Sequence, residues 1–444
     1  PEPIAIVDTG VAWQHEDLAA NIWTNTAEAD GGVPGVDDDP YFGSDLQPHS
    51  YVDDFRGWDF VGDLISDNGT PNDPSDDTRY PPDNNPADPN GHGTHVAGIA
   101  GAVGDNSLGI AGVNPGAKIM PLRAADETGS FYSGAIEDAF SYAIDHGVRI
   151  VNGSFGGPDQ SPGISAIVSN NPNVLFVFAA GNGGDDDVGD DHDAAGGAAH
   201  QFPCDIAAPN VICVAATDWN DQLTSFSDYG AVSVDLAAPG DGILSTYPSA
   251  SDPEACITSD YEFISGTSMA APFVAGAASL IWSADPALDS SQVKSLILDH
   301  TDALPSLTGK VVSGGRLNLD HALRAVPDPQ PVATQDTPPP PPSCGGNSLA
   351  TTPSATTTPS ATTPPSGQPP SEPVILDTRP PGLRVISAHT RRVGRSRWLK
   401  SHVICDENCS IFTTARPNLR GLHSVTGRYS AQAGQIRTVG VRFS

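Results

Sequence analysis

Short apolar runs that end in glycine-bearing turns alternate along this chain with segments of helical period, and few folds accept that alternation. "IAIVDTG" (4–10) is a buried strand feeding a turn, and "GTHVAGIAGAV" (93–103) is a helix of small residues. "AKIMPLRAAD" (117–126) is a strand, and "SGAIEDAFSYAIDHG" (133–147) is an amphipathic helix stopped by Gly147. "VRIVNGSFGG" (148–157), "VLFVFAAGNGG" (174–184) and "VICVAATD" (211–218) are further strands. "SMAAPFVAGAASLIWSA" (268–284) is a long apolar helix, with Pro272 expected in its first turns, where a missing N–H costs little. Strands alternating with helices imply a largely parallel α/β sheet. Ligands of such sheets gather beyond the carboxyl ends of the strands, where Asp8 and Asn182 fall.

The alternation stops at a stretch that cannot build a core. Residues 327–373 include "TPPPPPSCGG" and "TTPSATTTPSATTPPSGQPP", and their prolines hold the chain extended. This linker separates a catalytic-sized unit, 1–326, from a region 374–444 whose runs "GLRVIS" and "QIRTVGVRFS" alternate like strands. Charge divides at the same place. The whole chain carries −33, but residues 374–444 hold 12 Arg and Lys against 3 Asp and Glu, a local +9, leaving −42 for the remainder. Such acidity argues against nucleic acid as a partner, since phosphate binding needs a basic surface. It fits a secreted or salt-adapted protein kept soluble by self-repulsion. The basic tail favours an anionic surface, glycans or acidic partners.

No window approaches ~18 uninterrupted apolar residues, so no membrane span is expected. The opening "PEPIAIVDTG" lies already inside a strand pattern, which reads as a start left by processing or truncation. Of six cysteines, Cys204 and Cys213 stand nine apart and Cys405 and Cys409 four apart, in loop-rich segments without zinc-site spacing. Disulfides in an oxidising compartment are the expectation, with Cys256 and Cys344 either paired or free.

Ser268 in "SGTSMAAP" opens an apolar helix, and a serine there is ordinarily an N-cap. Three other features set it apart: Asp8 at a strand end, His92 among glycines, and Asn182 after "AAG". Nucleophile, base, orienting acid and oxyanion donor are the parts that acyl transfer needs. "VDTG" (7–10), "GHGTHVAG" (91–98), "AAGN" (179–182) and "SGTSMAAP" (265–272) together resemble the hallmark segments of the subtilisin-like serine proteases, the subtilases, in that family's order. "VDLAAPG" (234–240) is similar as well.

The resemblance implies a subtilisin-like three-layer α/β fold over 1–326 and a secreted serine endopeptidase. Ser268 is then the nucleophile, His92 the base and Asp8 the residue orienting it. The Asn182 amide and the Ser268 N–H would hold the oxyanion. His95 is expected to pack or hydrogen-bond nearby; a zinc pair would want the His-Glu-x-x-His spacing, which is absent. Protein or peptide substrates would lie as an added strand between Gly129, Ser130 and Tyr132 on one side and Ser154, Phe155 and Gly156 on the other. Ala179, Ala180 and Gly181 would line a pocket for large apolar side chains. Gly153 departs from the bulkier residue common in the family. Met269, next to the nucleophile, is expected to meet oxidants that reach the cleft. Phe202–Pro203 matches an aromatic–Pro peptide that is cis in the family.

Carboxylates crowd 37–39, 53–54, 59–67 and 73–88. "DNNPADPNGHGTH" (83–95) resembles a calcium-binding segment of some subtilases, which implies calcium as a structural cofactor on Asp83, Asn85 and Asp88. A solvated acidic surface is the competing reading. "GGDDDVGDDHD" (183–193) is either a second ion site or an acidic loop. Two rival functions stand beside the protease: an inactive scaffold of the same fold, against which the intact set of site residues argues, and a surface-attached binding protein working through its arginine-rich tail.

Overall fold

The computed structural model describes residues 1–29, 51–66, 78–186, 188–194, 200–248 and 260–327, two short strands at 41–42 and 48–49, and five strands between 383 and 443. The chain divides into two compact units, Pro1–Val332 and Ala333–Ser444.

In the first unit the strands in chain order are β1 (Ile4–Asp8), β2 (Trp58–Asp59), β3 (Ile119–Arg123), β4 (Ile150–Gly153), β5 (Leu175–Ala179), β6 (Val211–Thr217) and β7 (Leu236–Pro239). A hairpin, β8 (Ile243–Thr246) and β9 (Tyr261–Ile264), stands apart from the sheet, as do the short pairs Tyr41–Phe42 with Pro48–His49 and Leu64–Ser66 with Thr78–Arg79, and β10 (Asp302–Ala303) and β11 (Gly315–Arg316) follow near the end of the unit. Nine of these form one sheet in the order β10-β11-β7-β6-β5-β4-β1-β3-β2, and every pairing is parallel except the edge pair β10–β11.

The strands read as continuous apolar runs because both faces of the sheet are covered. Ile4 and Ile6 of β1 enter one core, and Ala5 and Val7 enter the other. β5 divides likewise, with Leu175, Val177 and Ala179 on the first face and Phe176 and Phe178 on the second. The first face carries α1 (His92–Gly101) and, later in the chain, α4 (Thr267–Ala284), α5 (Ser290–Leu298) and α6 (Leu319–Arg324); the second carries α2 (Ser133–Asp145) and α3 (Pro162–Asn170). Helix, sheet and helix make three layers, as expected for the subtilisin-like fold. Local signals agree: Gly147 after α2 takes φ +72°, and Ser161 caps α3 by accepting from the Ile164 N–H, with Pro162 at the first helical position.

α4 is apolar and 18 residues long, enough to cross a membrane by length and composition, yet it is largely buried in the first core. Met269, expected in reach of cleft oxidants, is only 1% exposed and packs into this core. Pro272 is the sixth residue of α4, within its first turns as expected but past the first four positions, so its missing N–H is not one of the helix's unpaired donors. Its missing N–H leaves the Ser268 carbonyl without an intrahelical donor, and the Ser154 hydroxyl fills that place at 2.8 Å.

Cys204 and Cys213 form a disulfide, with Cα atoms 5.1 Å apart. Cys256, Cys344 and the side chains of Cys405 and Cys409 lie outside the described residues. Phe202–Pro203 is cis. In the second unit, β12 (Leu383–Val393), β13 (Ser396–Cys405) and β16 (Arg437–Phe443) form an antiparallel sheet, and β14 (Cys409–Ala415) pairs with β15 (Val425–Ala431).

α1 and α4 approach closely because small residues line their contact. A Cβ on Gly276 would sit 2.7 Å from Val113 Cβ and 3.0 Å from the Ala100 carbonyl oxygen. Gly276→Val should therefore overpack this contact and cost about 1–3 kcal/mol, read as a lower urea midpoint at unchanged slope.

Candidate active site

β1 ends at Asp8, whose side chain is fully buried. α1 begins at His92, and the His92 Nδ1–H donates to Asp8 Oδ1 at 2.7 Å. The Thr9 N–H donates to the same oxygen at 2.8 Å. Burial pushes the His92 imidazole down, but the charge and hydrogen bond of Asp8, helped by the charge of Asp88, raise it above the ordinary histidine value.

The loop that delivers His92 is built around glycines and Asp88. Gly91 has φ +106°, a left-handed conformation that a side chain would strain. A Cβ on Gly93 would lie 2.1 Å from the Gly10 carbonyl oxygen and 2.9 Å from Asp8 Cβ. Only glycine lets α1 start so close to the end of β1. The Asp88 carboxylate then ties the two together. One oxygen accepts from the Thr9 hydroxyl and from the N–H groups of Asn90 and Gly91; the other accepts from the Thr94 N–H and hydroxyl, all at 2.6–2.9 Å. Thr9 Oγ1 accepts in turn from the Gly93 N–H at 2.9 Å. His95, one turn along α1, is buried and its Nε2 faces the Ile243 and Glu262 carbonyls at 3.0 Å each. Burial takes its pKa down to about 4, so it is neutral at pH 7.

Ser268 is the second residue of α4, whose N-cap is Gly266, so it is not the cap its position in the sequence suggested. Among the first N–H groups of this helix, that of Thr267 donates to Asn182 Oδ1 at 2.9 Å and that of Met269 to the Gly266 carbonyl at 3.1 Å. The Ser268 N–H between them has no acceptor within the helix. Ser268 and Ser154 exchange bonds: each hydroxyl donates to the other's carbonyl, at 3.0 and 2.8 Å. The Thr267 hydroxyl also meets Asn182 Oδ1, at 3.0 Å. Because an N–H can donate only to an oxygen, these contacts fix the amide orientation and turn the Asn182 NH₂ group the other way. Positive φ in this turn belongs to Gly181 and Gly183, so Asn182 is not there to tolerate a left-handed backbone.

Phe155, Gly156, Ala179, Gly181, Asn182, Gly184, Gln201, Thr267 and Ser268 enclose a pocket of about 280 Å³. Ala180 and Ser154, also expected there, are buried behind it. Gly153 leaves room for rings: a Cβ would stand 2.8 Å from Phe178 and 3.1 Å from Phe155. Gly129, Ser130 and Tyr132 lie on a separate loop wrapped around Asp126, which accepts from the Ser130 N–H and the Tyr132 hydroxyl.

The profile of the subtilase family matches residues 3–323. This chain is a subtilase. It is 37% identical over 323 residues to thermitase of Thermoactinomyces vulgaris, covering 72% of this chain and 88% of thermitase. It is 34% identical over 325 residues to the thermophilic serine proteinase of Bacillus sp. (strain AK1), covering 72% of this chain and 61% of that one. Among solved structures, a protease from Pseudoalteromonas arctica PAMC 21717 superimposes with a TM-score of 0.55 at 26% identity, covering 73% of this subtilase and 90% of that chain.

Two features of the subtilase site correct or extend the sequence reading. Asp88, one of the three expected calcium ligands, does not fit that role as arranged. Asp88 is buried and both its oxygens already accept protein hydrogen bonds; Asp83 Oδ1 accepts from the Asn85 N–H, and Asn85 Oδ1 faces Trp13 Nε1. Among the described residues no group of three or more His, Cys, Asp or Glu is arranged to hold a metal. The runs 37–39 and 67–77 lie outside the described residues. Thr267, Gln201 and Asp228 were missed, because their contacts join segments far apart in the chain. The "GGDDDVGDDHD" segment could have pointed to the last of these, since His192 within it meets Asp228.

Asp88→Ala should strand several buried N–H and hydroxyl groups and destabilise the fold by roughly 2–3 kcal/mol. Any melting shift that a chelator produces in the parent should persist in the variant; its disappearance would restore Asp88 as an ion ligand.

Proposed function

We propose that this serine endopeptidase cleaves peptide bonds by acyl transfer through Ser268, with His92 as base, Asp8 as its orienting carboxylate and Asn182 as oxyanion donor. The observation that carries the reading is the 2.7 Å contact between buried Asp8 and His92 Nδ1. It leaves Nε2 as the nitrogen able to take a proton. Ser268 Oγ releases its bond to the Ser154 carbonyl, turns toward His92 Nε2 and attacks the scissile carbonyl carbon as its proton passes to the imidazole. The oxyanion is met by the Ser268 N–H and the Asn182 NH₂ group. The imidazolium, stabilised by Asp8, protonates the leaving amine. Water then repeats the sequence on the acyl-enzyme.

The pocket bounded by Phe155, Ala179, Gly181 and Gln201 supports a preference for a large apolar side chain before the cleaved bond. The bound peptide would run as a strand between 128–132 and 153–156. The acidic charge and the Cys204–Cys213 disulfide support an extracellular location. The linker at 327–373 would join the protease domain to a basic β-region of separate function, one that binds anionic partners.

Casein hydrolysis, with and without a serine-directed inhibitor, tests the class; Ser268→Ala should leave only residual activity. Asn182→Asp retains the acceptor for the Thr267 N–H but loses the donor, so kcat should drop by about 10² to 10³ with KM and Tm little changed. Full kcat in that variant removes Asn182 from the mechanism.

His92 must be neutral to act, so activity should fall on the acid side, with a midpoint above the ordinary imidazole value because the folded pKa is raised. Asp8→Asn should move that limb down as well as slow the reaction, measured as kcat/KM against pH.

A further inference from the structure

We infer that His192 is a positioning residue for the reaction proposed above: it bridges Asp205 and Asp228 and so ties together the two walls of the substrate pocket. Asp228 grips the chain on each side of Asn182. Its N–H donates to the Gly181 carbonyl at 3.0 Å, and its Oδ1 accepts from the Gly183 N–H at 2.8 Å. Asp205 holds the opposite wall, since its Oδ2 accepts from the N–H of pocket-lining Gln201 at 3.1 Å. The walls meet over Gly181, where a Cβ would lie 2.1 Å from Asp228 Oδ2 and 2.8 Å from Gln201 Cγ.

His192 closes the gap from behind. Its side chain is fully buried, with Nδ1 2.8 Å from Asp205 Oδ1 and Nε2 3.7 Å from Asp228 Oδ2. The second contact is an ion pair without a hydrogen bond, and among the described residues neither Nε2 nor Asp228 Oδ2 has a hydrogen-bond partner. A neutral ring donating to Asp205 would aim the Nε2 lone pair at a buried carboxylate. Only the imidazolium satisfies both sides.

The surrounding charges agree. Besides Asp205 and Asp228, His200 Nδ1 meets Asp205 Oδ2 at 2.8 Å from the exposed side, and the adjacent Asp193 accepts from the Val232 N–H. Lys310 is occupied over the Tyr229 ring, 3.3 Å from its centre. Burial pushes His192 down, but the two carboxylates outweigh it and lift its pKa to about 9. The bridge is therefore complete at neutral pH and opens as pH rises through about 9; its contribution to stability is full below the unfolded value of 6.5, declines as pH rises from there and is lost as pH passes about 9. Once it opens, Asn182 and Gln201 are no longer held in one register.

The test is kcat and KM of the parent from about pH 7.5 to about 10.5 on a chromogenic peptide with a large apolar residue before the cleaved bond, with near-UV circular dichroism monitoring the fold. The expected result is a roughly tenfold fall in kcat/KM centred near pH 9 while the dichroism is retained. His192→Gln should show the lower rate already at neutral pH and a flat profile above it; His192→Lys, keeping a cation, should move the fall upward. A flat parent profile with the fold intact overturns the proposal, as does an unchanged alkaline fall in His192→Gln. Failure of the protease reading itself would be seen separately, as no inhibitor-sensitive cleavage at neutral pH.

Discussion

Five donors converge on the Asp88 carboxylate, and the arrangement of the site depends on that convergence. Strand β1 and helix α1 belong to different layers, and no backbone hydrogen bond between them fixes the angle they make. The buried carboxylate does so by accepting from Thr9 at the end of β1 and from the first turn of α1 together. A carboxylate at a helix N-terminus is favoured by the unpaired N–H groups and by the helix dipole. Here the same oxygens also hold Thr9, so the distance from Asp8 to His92 follows from how α1 is started.

A second constraint acts at the other helix. Pro272 withholds a backbone donor, Ser154 supplies one, and the Ser268 hydroxyl returns the bond to the Ser154 carbonyl. Asn182 caps Thr267 beside them. Three segments distant in sequence are thereby fixed around one residue. The small side chains between α1 and α4 let those two starts come close enough to share a cleft.

The sheet was largely legible in the sequence, since a strand buried on both faces reads as a continuous apolar run, and β1, β3, β5 and β6 do so up to their last residue. Asp8 and Asn182 were legible as polar residues at strand ends. What could not be read were partnerships between distant segments. Asp88 stands among Asn, Pro and Gly whether an ion or a ring of N–H groups surrounds it; Thr9, 79 residues away, decides which. Pro272 was expected where a missing N–H costs little, but it lies past the first four helical positions, and what replaces its donor is Ser154, from a distant segment. Asn182 admits a turn role and an oxyanion role on its sequence alone; its two glycine neighbours carry the positive φ of the turn, which removes the first reading. Gln201 has no motif at all.

Ser268 and Asn182 occupy regions of unlike solidity. Ser268 rides on a helix whose inner face is part of the main core, so the backbone amides of α4 should exchange with deuterium only through global unfolding. Asn182 is exposed, on a glycine-rich turn outside that core, and such a turn is expected to open at lower free energy than the sheet. States that retain every strand and helix of the sheet would then still misplace Asn182. Heat or denaturant would reach those states first, and loss of turnover would run ahead of any change in secondary structure.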